Sequence, residues 1–163
     1  MAYGSDFLTG GVASSSSYYS DWTPAKAVDD IVDTTHIWGC FNGSDVYWQY
    51  DLGEGVTKKP AQLALTTDNQ NYPPAGYTLL GSITGAFGGE QTIISSNASI
   101  GAWANWEKKT FQFSPPADGY RYLRLVFTGG LFKILAEIEM MEEEGGGGGE
   151  GGGIVPGLFF ANG

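Results

Sequence analysis

Basic residues are scarce in this chain: lysine and arginine number 8 against 18 aspartates and glutamates, for a formal charge of −10. A phosphate backbone or an anionic bilayer would be repelled, which argues against nucleic acid and anionic membrane as partners. Cysteine is scarcer still. With Cys40 alone, neither an internal disulfide nor a cysteine-based zinc site can form, and a lone thiol of this kind is expected as a small packing residue. Histidine is also single, so His36 would have to be the base of any Ser-His-Asp arrangement, and no Gly-x-Ser-x-Gly elbow accompanies it. A carboxylate pair can be drawn in any acidic chain and carries little weight. The expectation is a protein without catalytic residues.

Long apolar runs are missing too. Nothing approaches the roughly 20 residues of a membrane span, so no membrane insertion is expected. Met1–Asp6 lacks the basic and apolar regions of a secretory leader, which suggests a chain made and used without classical export. The sequons at Asn42 and Asn97 are then coincidental. No three-turn stretch keeps an apolar 3.6-residue stripe free of Gly, Pro or Ser. With aromatics at 14% and charged residues at only 16%, the fold should be nearly all β. Its 163 residues suit one domain with a real core.

What is present begins with Val46-Tyr47-Trp48-Gln49-Tyr50-Asp51-Leu52-Gly53, which reads as a strand running into a turn. Alternation puts Val46, Trp48, Tyr50 and Leu52 on the core face and Tyr47, Gln49 and Asp51 on the other. Residues 1–10 read as an extended lead-in, followed by a short strand and a serine-rich loop. Thr23 and Pro24 can open one helical turn. After it comes an acidic loop holding Asp29, Asp30, Asp33, Thr35, His36 and Trp38, whose closely spaced oxygens are of the type that hard cations need. Further strands are expected at Gln62–Thr66, Gly76–Ser82, Lys108–Phe113, Tyr120–Phe127 and Leu135–Met140, with loops carrying Asp68, Asn69, Tyr72, Trp103 and Trp106 between them. Seven or eight short strands divided by Gly/Pro/Asn loops describe a sandwich or jelly roll.

From residue 143 the composition changes. Residues 143–153, rich in Glu and Gly, cannot bury apolar surface and read as a linker. Residues 154–163 are strongly apolar, and Ile154, Val155, Leu158, Phe159 and Phe160 are expected to dock on a partner, since a free tail of that kind would aggregate.

Six ordered blocks then resemble the coagulation-factor type C, or discoidin, domain and the galactose-binding-like carbohydrate-binding modules. They are Val12–Ser16, Ala27–Asp29, Trp48–Gly53, Gly76–Ser82, Tyr120–Leu125 and Leu135–Glu139, and the likeness covers about residues 11–142. The resemblance implies an all-β, eight-stranded jelly-roll β-sandwich, here with an extended Gly-rich C-terminal tail, that binds glycan through loops at one end. It implies a structural Ca2+ held by Asp29, Asp33, Thr35 and Glu137, with Asp29-Asp30 standing where the family has Asp-Gly. For the glycan it implies His36, Asp68, Asn69 and Phe132, and Tyr72, Trp103, Trp22 and Trp106 are further loop candidates. Thr67-Asp68 replaces the family's middle-loop arginine. Joined to the tail and the missing leader, this suggests a multimeric virion appendage such as a phage tail or decoration protein, bound to other assembly proteins through residues 145–163 and attaching to host-surface glycan. The alternatives are a purely structural decoration or connector protein, or an extracellular binding module of a glycan-active system.

Overall fold

A computed structural model describes residues 1–41 and 45–145. The linker from Gly146 on, the docking residues Ile154, Val155, Leu158, Phe159 and Phe160, and the Asn42 sequon lie outside them.

Among the described residues ten strands form: β1 (Val12–Ser15), β2 (Trp38–Cys40), β3 (Val46–Asp51), β4 (Pro60–Thr66), β5 (Gly76–Ser82), β6 (Thr92–Asn97), β7 (Lys108–Gln112), β8 (Tyr122–Thr128), β9 (Lys133–Leu135) and β10 (Glu137–Glu142). Eight of them make the two layers of a sandwich, a five-stranded sheet ordered β1-β3-β8-β5-β6 and a three-stranded sheet ordered β10-β4-β7. The remaining two, β2 and β9, pair with each other, and every strand pairing among the described residues is antiparallel. The expected all-β jelly roll is therefore the fold.

β3 shows how the layers are made. Its alternation buries Val46, Trp48, Tyr50 and Leu52, while Tyr47, Gln49 and Asp51 stay half-exposed. Trp48 and Tyr50 stack at 5.8 Å and meet Leu79, Leu123 and Leu125 of their own sheet and Leu63, Leu65, Ile138 and Met140 of the facing one. On the outer face Asp51 accepts two hydrogen bonds from Arg121, at 2.7 and 2.9 Å, which hold its carboxyl below the usual range. The indole of Trp48 donates to the Pro24 carbonyl at 3.0 Å, tying the 3-10 turn Pro24–Val28 to the core. That turn sits where Thr23 and Pro24 place it, although the Thr23 side chain makes no capping hydrogen bond.

Two expectations change. Trp38, read as part of the acidic loop, is fully buried in β2 and packs on Phe127 at 5.6 Å, because β2 finds its ladder partner in distant β9. The closing strand is two strands, β9 and β10, joined through buried Ala136. Cys40 is buried in β2, as a packing residue should be.

The lead-in is integral to the domain. Leu8 is in the core, Phe7 donates to Met140 O at 3.0 Å, Gly4 donates to Glu142 O at 3.0 Å, and Tyr3 bridges Glu143. This segment covers the outer edge of β10 that would otherwise be open. It also sets residues 2 and 144 side by side, through a hydrogen bond from Glu144 N to Ala2 O at 3.0 Å. The connections β1–turn, β2–β3, β4–β5, β6–β7 and β8–β9 all emerge at the opposite end of the sandwich, where Val46, Thr66, Gly76 and Thr128 close their ladders.

Candidate loop-end site

At that end the loops assemble a surface of aromatic rings. Tyr19 lies 5.4 Å from Trp22 and 4.4 Å from Phe41, Trp22 lies 5.5 Å from Phe41, Phe41 lies 4.7 Å from Phe132, and Phe132 lies 5.2 Å from Tyr72. The five rings come from four places in the chain: Tyr19 and Trp22 from the β1–turn loop, and the others from the end of β2, the β8–β9 hairpin and the β4–β5 loop. The β2–β9 ladder is what gathers them. Cys40 pairs with Lys133, so Phe41 and Phe132 flank one end of that ladder. The Ile134 amide donates to the Tyr72 carbonyl at 2.8 Å and draws in the β4–β5 loop.

Trp22 is seated by an absence. A Cβ on Gly39 would lie 3.1 Å from the Trp22 indole and 3.0 Å from Ile134, so glycine in mid-strand leaves the room that the ring fills. Gly129 and Gly130, both at positive φ, turn the hairpin that carries Leu131 and Phe132. Three rings keep much of their surface in water: Tyr19 at 51%, Phe41 at 46% and Tyr72 at 38%. Phe132 is only half-exposed, clamped edge-to-face between Phe41 and Tyr72.

Beside Tyr72 the same loop borders a cleft of about 410 Å3 lined by Gln70, Asn71, Pro73, Pro74 and, across it, Ala102 and Trp103. Trp103 is 7% exposed, with its indole nitrogen buried and unpartnered and the Lys109 ammonium 4.9 Å over its ring. Main-chain bonds brace the loop: Gln70 N donates to Asn105 Oδ1 and Asn71 N to Asn69 Oδ1, both at 2.9 Å. Asn69 is thus used in holding the loop. Asp68 is half-buried with one carboxyl oxygen unpartnered, and burial raises its pKa above the ordinary value. Trp106 stands apart, exposed and at positive φ.

His36 does not join this surface. It leads into the other end of β2, where its Nδ1 lies 3.0 Å from Asp33 Oδ1. The same Asp33 oxygen accepts from Thr35 N at 2.7 Å, Thr35 Oγ1 at 2.8 Å and His36 N at 2.9 Å, and these hydrogen bonds, led by Thr35, hold its carboxyl far below the usual range. The acidic loop therefore closes on itself at Asp33, whose Oδ1 gathers Thr35 and His36.

Glu137 is different. It opens β10 with both carboxyl oxygens buried and without a partner, and its pKa is pushed up to about 9, first by burial and then by the negative charge of Asp29 and Asp30. Asp29 ends the 3-10 turn, and Asp30 holds the left-handed φ of 60° that glycine adopts freely, the conformation an Asp-Gly pair would give here. Among the described residues no three His, Cys, Asp or Glu side chains gather as a metal-holding group. The orphaned carboxyl of Glu137 facing Asp29 nevertheless fits a hard cation whose other ligands are not side-chain carboxylates.

Sequence reading missed Tyr19 and Phe41 as parts of the surface. Tyr19 lay in a loop passed over as serine-rich, and Phe41 becomes visible only once β2 is recognised as a strand.

The model of the F5/8 type C domain matches residues 11–140. No curated protein matches the chain. Among solved structures, a family 32 carbohydrate-binding module from C. perfringens NanJ in complex with galactose is similar at 20% identity and a TM-score of 0.67, covering 86% of this chain and 100% of that one. A chitosan-binding module of a chitosanase/glucanase from Paenibacillus sp. IK-5 is similar at 16% identity and a TM-score of 0.64, covering 84% and 98%. A fucolectin from striped bass serum, Morone saxatilis, is similar at 16% identity and a TM-score of 0.68, covering 86% of this chain and 49% of that one.

Proposed function

Since the chain belongs to the F5/8 type C domain family, we propose that it is a non-catalytic carbohydrate-binding module whose ligand lies across the loop end. The observation that carries this reading is the run of partly exposed rings Tyr19, Trp22, Phe41 and Tyr72 beside a polar cleft. Sugars present C–H groups that pack on aromatic faces, and their hydroxyls need amide or carboxyl partners to fix orientation. Similar folds described as galactose-binding, chitosan-binding and fucolectin structures support the same class of ligand.

Calcium enters this reading as a structural ion. Glu137 and Asp29 would hold it, and its charge would offset the burial and the repulsion from Asp29 and Asp30 that raise the Glu137 pKa. From there it would fix the loop that follows the 3-10 turn.

The setting we infer is a virion or comparable assembly that displays many copies toward host-surface glycan, because weak single sites gain avidity when several engage together. The apolar residues 154–163 beyond a Glu/Gly linker support such an anchor. A glycan-array screen of the whole chain, displayed multivalently with calcium and then with chelator, tests the binding reading. Specific signal is expected, and it should weaken on chelation. Silence across a broad array would leave a structural decoration protein as the better reading.

A further inference from the structure

We infer that the loop end takes a neutral, linear oligosaccharide of at least three sugar units, and that a single terminal sugar cannot fill it. The inference rests on the carbohydrate-binding reading and says which glycan that site is built for.

Length is the first observation. The rings run in series from Trp22 through Phe41 and Phe132 to Tyr72, with centroid spacings of 5.5, 4.7 and 5.2 Å. A pyranose is about as large as one aromatic ring, so one sugar can cover one ring and touch the next. The surface does not stop at Tyr72. Gln70, Asn71 and Pro73, on the same loop, continue it into the cleft that ends against Trp103. Among the described residues, the side-chain amides of Gln70 and Asn71 make no hydrogen bond, although their main-chain amides are both engaged. These forks are open to hydroxyls, and they lie beyond Tyr72 from the Trp22 end. One ligand that satisfies the amides and also packs on Phe41 must be a chain.

Charge is the second. Both arginines of the protein lie away from the loops on the five-stranded sheet, Arg121 bonded to Asp51 and Arg124 bonded to Gln49 between the rings of Tyr47 and Phe87. The lysines near the loop end are engaged by the protein itself. Lys26 donates to Thr35 O at 2.9 Å, Lys109 donates to Ala102 O at 2.5 Å, and Lys133 is buried and donates to Gly130 O at 3.0 Å. A uronate or sulfate ester would find no guanidinium there to receive it, and Lys26 is also paired with Asp21 at 3.4 Å. Neutral sugars carry no such penalty.

The test is isothermal titration of the full chain, with calcium present, against neutral oligosaccharides of glucose, galactose and N-acetylglucosamine from one to six units, and against oligogalacturonates of equal length. In the series that binds, affinity should rise at least about tenfold between one unit and three or four and then level off. Oligogalacturonates should bind at least about tenfold more weakly. Gln70→Ala should weaken the tetramer several-fold while leaving the melting temperature unchanged, which separates loss of a contact from loss of fold. Equal affinity for monomer and tetramer would overturn the inference and leave the carbohydrate-binding reading standing. Tighter binding of the uronates would overturn the neutral specificity. Absence of binding to every series would remove both readings together.

Discussion

Phe132 and Phe41 show how a side chain's worth depends on which of its faces is left open. Phe132, which the resemblance assigns to the glycan, is held between Phe41 and Tyr72, while Phe41 keeps 46% of its surface in water. Phe41→Ala is therefore expected to weaken glycan binding about tenfold, the loss of about 1.4 kcal/mol, with little change in melting temperature; titration and calorimetry of the same variant check both halves. Glu137 yields a prediction in pH. Its folded pKa of about 9 lies above the ordinary 4.5, so without calcium the folded state holds a proton that the unfolded chain has released. Calcium-free stability should then fall as pH climbs from about 4.5 toward 9, since the folded state binds more protons over that window. Calcium competes with that proton, so its increment in melting temperature should be larger at about pH 8 than at about pH 5.5. Glu137→Gln should remove both dependences, and an unchanged calcium increment in that variant would place the ion elsewhere.

The shortest elements, β2 and β9, organise the site. Each has three residues, too few for an alternation pattern, and β2 follows a run of aspartates that reads as solvated loop. This is why the sequence reveals β3 with its faces, and β4, β5, β7 and β8 as strands, but not the ladder that gathers Tyr19, Phe41, Phe132 and Tyr72. β3, β7 and β8 carry their evidence locally in period-two burial, whereas β2 is specified by a partner some 95 residues away that only the folded chain brings near. The acidic loop was legible as oxygen-rich and illegible in its closure, because which donors Asp33 would capture depends on backbone geometry. Gly39 gives the test of the ladder's role. In Gly39→Ala the new methyl would press on the Trp22 ring and on Ile134, so Trp22 should be displaced and glycan affinity should drop several-fold, with a stability cost of about 1–3 kcal/mol as for other overpacked sites. Retained Trp22 fluorescence and full affinity in that variant would show that the ring does not depend on this seat.

At the scale of the molecule the two sheets, the ladder and the lead-in form one unit closed at its described ends. Removing residues 146–163 should leave a domain that melts within a few degrees of the full chain and keeps its glycan affinity, since the described residues supply a core of their own; the same deletion should abolish incorporation into the proposed assembly, measured by co-purification. The outline of this unit was readable because six blocks resemble the F5/8 type C domain in order and rough spacing, while the edge that Tyr3–Leu8 covers was not, because irregular pairing leaves no pattern to read. That edge has a further consequence for architecture. With Ala2 and Glu144 hydrogen-bonded together and the aromatic loops at the far end, whatever is spliced to either side leaves through one narrow doorway facing away from the sugar. Such a module can be set into a loop of another protein, or repeated along a chain like beads on a string, without turning its ligand face inward.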